Sequence, residues 1–287
     1  MHPVEGRPVK DSEMDSNKVR MEKLLKGFRE KRSVVVAFSG GVDSSVVSAL
    51  AFKALGEKAL AVTIDSPLLP RGELEDAKKI ADEIGIKHLV VRLNEFEDPN
   101  LAMNPPDRCY ICKKMRFKKL REMANEGGFN EIADGSNFSD LGQHRPGLKA
   151  AKEEGVYHPL MEAGLSKEDT RILARLLNLS NADNPSSSCL ASRVPYGQKL
   201  TSEKMERIAQ AENYVREMTG VKVLRVREQG DLARIEVGVD ERRLFYDEEL
   251  MSGIAGKLKQ LGYRFVTLDL EGYRFGSFDD AKGKVIK

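Results

Sequence analysis

The sequence predicts an α/β protein in which helices flank a parallel sheet, followed by a smaller α+β domain. Two patterns indicate this. From Val34 to Leu93, short runs rich in β-branched residues alternate with segments whose apolar residues recur at helical spacing. After Leu200 strands and helices no longer alternate strictly, which is typical of an α+β domain. The first part therefore contains the parallel sheet, and the boundary is expected near residue 200.

The individual elements follow from periodicity and from turn residues. In the first part, strands are expected at Val34–Phe38, Ala59–Ile64, His88–Leu93 and Glu131–Gly135. Helices are expected at Asn17–Arg32, Asp43–Leu55, Gly72–Ile84, Lys167–Leu177 and from the Cys109 region through Glu126. In the last part, the expected elements are a helix at Ser202–Met218, strands at Val221–Arg227, Ala233–Val239 and Phe265–Leu270, and a helical stretch through Gln260. Ser166 and Asp169 form a capping-box pattern, and the Asn-, Pro- and Ser-rich stretches Asn94–Asp107 and Asp183–Gly197 are expected to be loops.

Length and composition limit the class of protein. The 287 residues allow one large domain or two unequal domains, and we expect a flexible leader over 1–16, a first domain over 17–200 and a second over 201–287. A hydrophobic content of 40% and a charged content of 32% are ordinary for a globular chain. The net charge of +2 is too small to favour nucleic acid as a partner. The absence of an apolar stretch of spanning length and of a signal-like start predicts a cytoplasmic protein without a membrane partner.

The most informative motif is Ser39-Gly40-Gly41-Val42-Asp43-Ser44-Ser45, directly after the first strand. The two glycines permit a sharp turn and a close approach of the backbone to a ligand. The free N–H groups at the following helix start, with hydroxyls beside them, form a cradle for an anion such as pyrophosphate. The motif lacks the Gly-Lys-Ser/Thr ending of a Walker A loop and the spacing of a dinucleotide fingerprint. A Ser/Gly turn that begins an ordinary helix is the alternative interpretation.

These seven residues resemble the PP-loop of the ATP pyrophosphatase superfamily, whose fold is like that of the adenine nucleotide alpha hydrolases. The resemblance implies that ATP is cleaved between its α- and β-phosphates, that Mg²⁺ takes part and that Asp43 organises the metal and the loop. Asp134-Gly135-Ser136-Asn137 follows a predicted strand at the sheet edge where α/β proteins bind ligands. An Asx-type turn would explain that segment equally well on local grounds. The PP-loop resemblance assigns it to the ATP site.

The three cysteines do not suit a disulfide framework, because three is an odd number and two of them form a Cys-x-x-Cys pair, Cys109 and Cys112. Three thiolates including Cys189 can hold a 4Fe–4S cluster with one iron open to an exogenous ligand. A zinc site completed by a histidine is the runner-up, and buried structural thiols are a third possibility. The histidines are His2, His88, His144 and His158, none at finger-like spacing from the cysteines.

The resemblance becomes specific to one family of this superfamily when a further segment is considered with the PP-loop and the small C-terminal part. That segment is Ser188-Cys189-Leu-Ala-Ser-Arg193-Val-Pro-Tyr-Gly197. Together they resemble the LarE family, ATP-dependent sulfur transferases of nickel-pincer nucleotide cofactor biosynthesis, from about Val34 to Leu270. In one branch of that family the cysteine aligned with Cys189 gives up its own sulfur and becomes dehydroalanine. The additional Cys109 and Cys112 resemble the branch that contains a cluster with an extra sulfide.

The resemblance implies a function and a set of partners. The acceptor would be pyridinium-3,5-biscarboxylic acid mononucleotide, with a separate sulfur donor, and the protein would be a homo-oligomer. Arg193, Arg225 and Arg227 are candidates for the substrate phosphate, and Glu212 is a weaker candidate. A salt-bridged sheet surface is the alternative explanation for the arginines on the strands. The alternative functions are a PP-loop tRNA thiolase and an ammonia-dependent amidating synthetase, although three cysteines are too few for added zinc modules and serve no purpose in amidation.

Overall fold

A four-stranded parallel sheet forms the centre of the first part of the chain. The structure is a computed structural model that describes residues 11–141, 146–185 and 187–274. The strands are β1 (Val34–Ala37), β2 (Ala59–Asp65), β3 (Lys87–Arg92) and β4 (Glu131–Ala133), in the spatial order β3-β2-β1-β4. All pairs are parallel, so the predicted α/β fold with a parallel sheet is confirmed.

In the described residues, eight α-helices connect or flank these strands. They are α1 (Asp11–Lys31), α2 (Val42–Leu55), α3 (Glu73–Ile84), α4 (Pro99–Ala102), α5 (Arg108–Glu126), α6 (Pro146–Glu153), α7 (Pro159–Glu162) and α8 (Lys167–Leu176). The predicted capping box at Ser166 and Asp169 is present at the start of α8. The first helix begins at Asp11 rather than at Asn17, because the apolar periodicity used to predict its start does not extend that far towards the N-terminus. Residues 1–10 of the expected leader lie outside the described residues.

The central strand β1 is buried on both faces, as a parallel sheet covered by helices requires. Val34 and Val36 belong to one apolar cluster, with side chains from α1, α2, α3 and α8. Val35 belongs to the other, with side chains from α5 and β4. Because alternate residues of a strand point to opposite faces, four successive apolar residues fix β1 in the middle of the sheet and thereby fix the turn that follows it.

The chain divides into two compact units. The first contains residues up to Asp65, Glu73–Leu93 and Cys109–Asn184. The second contains Ser66–Gly72, Asn94–Arg108 and the chain from Pro185 onward. Within the second unit, strands β5 (Leu224–Gln229), β6 (Leu232–Val237) and β7 (Phe265–Leu268) form a separate sheet, with β5 antiparallel and β7 parallel to β6. Helices α9 (Ser202–Thr219) and α10 (Glu248–Gln260) pack their apolar residues into the same core.

Three local expectations differ from the structure. The strand expected from Val221 begins at Leu224, because the carboxylate of Glu241 accepts the N–H groups of Lys222 and Val223 before any ladder forms. The stretch 94–107 is not a pure loop: Asn94 and Asp98 cap a short 3-10 helix and α4. The helices α6 and α7 were not expected, because each has at most two turns and too short an apolar pattern.

No helix in the described part of the chain combines the length and the apolar character that crossing a membrane requires.

Candidate active site

The loop after β1 turns at Gly40 and opens directly into α2. Gly40 has φ +73°, and a Cβ atom there would lie 2.8 Å from the Cα of Ala77, so both conformation and space require glycine. The Ser39 N–H donates to Ser44 Oγ (3.2 Å), and Ser44 Oγ donates to the Gly41 carbonyl (3.0 Å). The hydroxyls thus hold the loop in a shape that leaves the first N–H groups of α2 available at its N-terminus.

Asn181, which the sequence did not single out, holds the same loop from the other side. Its Nδ2 donates to the Gly40 carbonyl (2.7 Å) and to Ser45 Oγ (2.9 Å), and its side chain is buried. Within the described residues its Oδ1 has no hydrogen-bond partner. No local pattern marks Asn181, because it lies 141 residues from Gly40 in the chain and belongs to no motif.

Asp43 lies at the first turn of α2 and is mostly buried. Asn137 Nδ2 donates to its Oδ2 (3.2 Å), whereas its Oδ1 is buried and has no hydrogen-bond partner among the described residues. Burial raises the pKa of Asp43 to about 6, and the positive charges of Lys167 and Arg171 on α8 partly oppose that shift. A buried carboxylate oxygen without a donor fits a divalent cation, and Mg²⁺ in phosphate sites typically uses one or two carboxylates together with the phosphates.

The segment 134–137 packs against the start of α2. A Cβ at Gly135 would lie 2.7 Å from the Ser44 nitrogen, so glycine permits this close approach. Asp134 is buried, accepts hydrogen bonds from the Ser136 N–H (3.0 Å) and hydroxyl (2.8 Å), and pairs with His158 Nδ1 at 2.7 Å. Burial opposes ionisation, but Lys113 at 3.5 Å and these hydrogen bonds hold the pKa of Asp134 well below its usual range. The structure therefore brings both predicted ATP-site segments together in one unit.

The predicted loop around Cys189 is ordered by hydrogen bonds from the second unit. Cys189 caps a short 3-10 helix, Leu190–Arg193, which replaces part of the expected loop. The Leu190 N–H donates to the Leu68 carbonyl (2.9 Å), and Arg193 Nη1 donates to the carbonyls of Ser188 (2.7 Å) and Cys189 (3.1 Å). The Cys189 side chain is partly exposed. Hydrogen bonds thus hold the loop backbone around a cysteine that is only partly exposed.

A cluster of buried arginines lies beside this loop in the second unit. Arg193 makes a bidentate pair with Glu212 on α9 (2.8 and 3.0 Å), and Arg227 pairs with Glu236 (2.9 Å). Arg225 instead donates to the Leu224 carbonyl and stacks on Tyr273, with no carboxylate partner among the described residues. Burial and the neighbouring Arg193 charge lower the pKa of Arg225. Three buried guanidinium groups facing two buried carboxylates leave an excess of positive charge that suits an anion.

Comparison with known proteins gives matches over almost the full chain. It is 41% identical over 260 residues to an uncharacterized protein of Synechocystis, covering 91% of this chain and 97% of that protein. It is 36% identical over 262 residues to the pyridinium-3,5-bisthiocarboxylic acid mononucleotide synthase of Lactiplantibacillus plantarum, covering 91% and 94% of the two chains. The chain belongs to the LarE family. It is therefore an ATP-dependent, sulfur-transferring enzyme.

Further matches place this LarE-family chain within the wider PP-loop group. A family model described as NAD synthase matches residues 18–104, which include the PP-loop. A tRNA-specific 2-thiouridylase of Rickettsia africae is 29% identical over 196 residues, covering 55% of this chain and 52% of that protein. These two matches cover a smaller part of this chain than the 91% that the match to the L. plantarum synthase covers.

The cysteines of this LarE-family chain lie on two elements. Cys109 and Cys112 occupy the first turn of α5 at a spacing of three, which places them on one helix face, and Cys109 is exposed. None of the three cysteines forms a disulfide, and the described residues contain no group of three or more His, Cys, Asp or Glu that could hold a metal ion. His88 contacts Thr63 (2.8 Å) and Phe38, while His158 pairs with Asp134. His2 and His144 lie outside the described residues.

Proposed function

We propose that the enzyme converts the carboxylates of pyridinium-3,5-biscarboxylic acid mononucleotide into thiocarboxylates. The observation that carries the proposal is a PP-loop at a helix N-terminus in a chain that spans 94% of the L. plantarum synthase at 36% identity. The test is to supply ATP, Mg²⁺, sulfide and the bis-carboxylic mononucleotide under anaerobic conditions. We expect release of pyrophosphate and a product heavier by the mass difference between sulfur and oxygen. A reaction with tRNA and none with the mononucleotide would overturn the proposal.

The first half of the reaction is assigned to the first unit. Ser39–Ser45 and Asp134–Asn137 bind ATP, with the N–H groups at the start of α2 directed at its phosphates. Asp43, whose buried Oδ1 has no hydrogen-bond partner among the described residues, would hold Mg²⁺, which would neutralise charge on the phosphates. The PP-loop contains no lysine, and the nearby Lys167 and Arg171 supply positive charge instead. These charges stabilise the negative charge that develops on the departing pyrophosphate as the substrate carboxylate attacks the α-phosphorus.

The chemistry divides into two balanced steps. A substrate carboxylate oxygen forms a bond to the α-phosphorus of ATP, the α–β bridging P–O bond breaks, and pyrophosphate leaves. The resulting mixed anhydride has AMP as a good leaving group, unlike the original carboxylate. A sulfide sulfur then attacks the acyl carbon, the acyl C–O bond breaks, AMP leaves and the thiol proton is lost to solvent. No oxidant or reductant is required for either step.

The second domain, 201–287, is proposed to bind the substrate, with its phosphate at the arginine cluster. Arg225 is the main candidate because its guanidinium has no carboxylate partner among the described residues and is buried beside two other arginines. Arg227 also donates to the Ser192 carbonyl (2.6 Å), so it contributes charge and holds the loop. Arg193 contributes its charge to the same cluster while its N–H groups contact Glu212 and the Cys189 loop.

Arg225→Met is expected to weaken substrate binding selectively. Loss of a charge-assisted contact to phosphate should raise the KM for the mononucleotide roughly 10- to 100-fold. The KM for ATP should remain unchanged, because the ATP segments belong to the other unit. Initial rates of pyrophosphate release over a range of both substrates measure this. Arg216→Met, at an exposed position of α9, is the matched control, and an unchanged mononucleotide KM in the Arg225 variant would contradict the assignment.

We also propose that Cys109, Cys112 and Cys189 together hold a 4Fe–4S cluster. The donor set supports this, since cysteine thiolates are the natural ligands of iron–sulfur clusters, three of them leave one iron open, and none of these cysteines forms a disulfide. When bound, such a cluster would supply an iron that carries the extra sulfide. In the described residues the three thiols do not form a group that could hold a metal ion, so cluster binding must bring them together. Cysteines that form no disulfide are typical of cytoplasmic proteins, which supports that location, and the family resemblance supports a homo-oligomer.

Anaerobically purified protein is expected to contain iron and acid-labile sulfide. Replacing any one of the three cysteines by alanine should lower iron content and sulfur transfer together, because each thiolate supplies one of three bonds to the cluster. Absorption spectra with iron, zinc and sulfide analyses provide the measurement. Ser187→Ala, beside the Cys189 loop but without a thiol, is the control. Zinc without iron in the anaerobic protein would contradict the cluster and favour a structural zinc site.

A further inference from the structure

The Cys189 loop continues into the segment Val194–Gly197, which contacts a part of the chain that no motif identified. Asn104, between α4 and α5, is fully buried and has a left-handed backbone with φ +54°. Its Nδ2 donates to the carbonyls of Pro195 (2.8 Å) and Val194 (3.3 Å). Its own carbonyl accepts the Gly197 N–H (2.9 Å). The side chain and backbone of Asn104 thus bind three residues in the C-terminal half of the loop, Val194, Pro195 and Gly197.

Arg108 completes this contact from the first residue of α5. Its Nη1 donates to Asn104 Oδ1 (2.7 Å), which fixes the amide with Nδ2 turned towards the loop carbonyls. Its guanidinium lies over the Tyr196 ring, 4.4 Å from the centroid, and the residue is buried. A planar guanidinium can stack on a ring and bond an amide at the same time, which a lysine ammonium does not do equally well.

We propose that Asn104, Arg108 and Tyr196, here called the loop clamp, are positioning residues for Cys189 in sulfur transfer. This inference rests on the proposed function for its catalytic consequence. The clamp holds the C-terminal half of the loop, while Leu68 and Arg193 hold the backbone at Leu190 and at Ser188–Cys189. A loop fixed at both ends keeps its thiol in one place, which lowers the cost of reaching a reactive geometry. Arg108 also directly precedes Cys109, so one residue of the loop clamp adjoins the cysteine pair in the chain.

Reactivity of the Cys189 thiol tests the clamp without relying on the enzymatic reaction. In the full chain carrying Cys109→Ser and Cys112→Ser, Cys189 is the single thiol, and no three-cysteine cluster can protect it. Adding Asn104→Asp removes both donors to the loop carbonyls while retaining the oxygen that Arg108 binds. Adding Arg108→Lys retains the charge and removes the stacking. Each change is expected to raise the iodoacetamide alkylation rate about tenfold, because local opening of the loop becomes easier.

Matched controls and a conservative variant separate positioning from general destabilisation. Asn100→Asp, at an exposed site on α4, and Arg92→Lys, whose side chain is 93% exposed, should leave the alkylation rate unchanged. Tyr196→Phe, which keeps the ring, should raise the alkylation rate less than Tyr196→Leu, which should behave like Arg108→Lys. Thermal unfolding of each variant identifies a chain that has lost its fold as a whole.

The enzymatic arm uses chains with all three cysteines. In Asn104→Asp and Arg108→Lys, kcat for thiocarboxylate formation should fall at least about tenfold, while pyrophosphate release in the first turnover and the KM for ATP stay unchanged. Equal losses in both half-reactions, or an unchanged alkylation rate with a lowered Tm, would assign the clamp a merely structural role and overturn the proposal. If the unaltered enzyme transfers no sulfur to the mononucleotide, the proposed function fails, and the alkylation rates still decide whether the clamp holds the loop.

Discussion

Asp43→Asn is expected to abolish adenylylation and leave the fold intact. The substitution keeps the side-chain volume but removes the carboxylate charge that is proposed to bind Mg²⁺ through the unpartnered Oδ1. We expect ATP-dependent pyrophosphate release to fall about 10³-fold, the loss typical when a transition-state charge loses its stabilising group. Burial disfavours the charged form of Asp43, so the neutral amide should leave Tm unchanged or raise it. Pyrophosphate release with ATP and the mononucleotide, together with Tm, measures both effects.

Two further variants, one in the PP-loop and one control, test the same assignment. Ser39→Ala should also suppress adenylylation, because Ser39 Oγ accepts the Gly41 N–H (3.3 Å) and contacts Ser44 Oγ (3.2 Å) inside the loop. Asp76→Asn replaces an exposed carboxylate on α3 and should leave the rate as it is. Pyrophosphate release at the unaltered rate in both Asp43→Asn and Ser39→Ala would show that the PP-loop is not the adenylylation site.

Cys189→Ser is expected to separate the two half-reactions. The residues proposed for adenylylation belong to the first unit, whereas Cys189 belongs to the second. Pyrophosphate should therefore be released in the first turnover while thiocarboxylate formation is lost, because serine has no sulfur to give up and lacks the thiolate that iron–sulfur clusters prefer. Mass spectrometry of the nucleotide product, with pyrophosphate measured in parallel, shows the separation. Ser192→Ala, in the same loop, should retain measurable thiocarboxylate formation. Sulfur transfer by Cys189→Ser at the unaltered rate would contradict any role for this thiol.

The fate of Cys189 in active protein distinguishes the two sources of sulfur. If the sulfide is external and cluster-bound, Cys189 survives and one polypeptide turns over repeatedly when sulfide is supplied. If the thiol is sacrificed, the protein loses the mass of H₂S and carries dehydroalanine at position 189. We expect survival, because a sacrificial thiol does not require Cys109 and Cys112. Dehydroalanine would overturn that expectation and leave the sulfur-transferase assignment intact.

Local signals in the sequence were sufficient for the strand–turn–helix unit. The apolar run Val34–Phe38, the Gly40 turn and the serines at the start of α2 are neighbours in the chain, and their geometry depends on backbone sterics and hydrogen bonds over a few residues. The same holds for the Ser166–Asp169 capping box. Family membership also followed from the sequence, since the PP-loop and the Cys189 segment are both contiguous motifs.

The tertiary structure alone decided which distant side chains meet. Asn181 binds the Gly40 carbonyl across 141 residues, and Asn104 binds the Pro195 carbonyl across 91. The roles of the arginines were likewise undecided in the sequence, because a pattern of alternating arginines is the same whether each faces solvent, a carboxylate or a ligand. In the described chain, Glu212 pairs with Arg193 and Glu236 pairs with Arg227, and Arg225 has no carboxylate partner. Hydrogen bonds and ion pairs act over a few ångströms in space, and chain separation carries no information about that distance until the fold sets it.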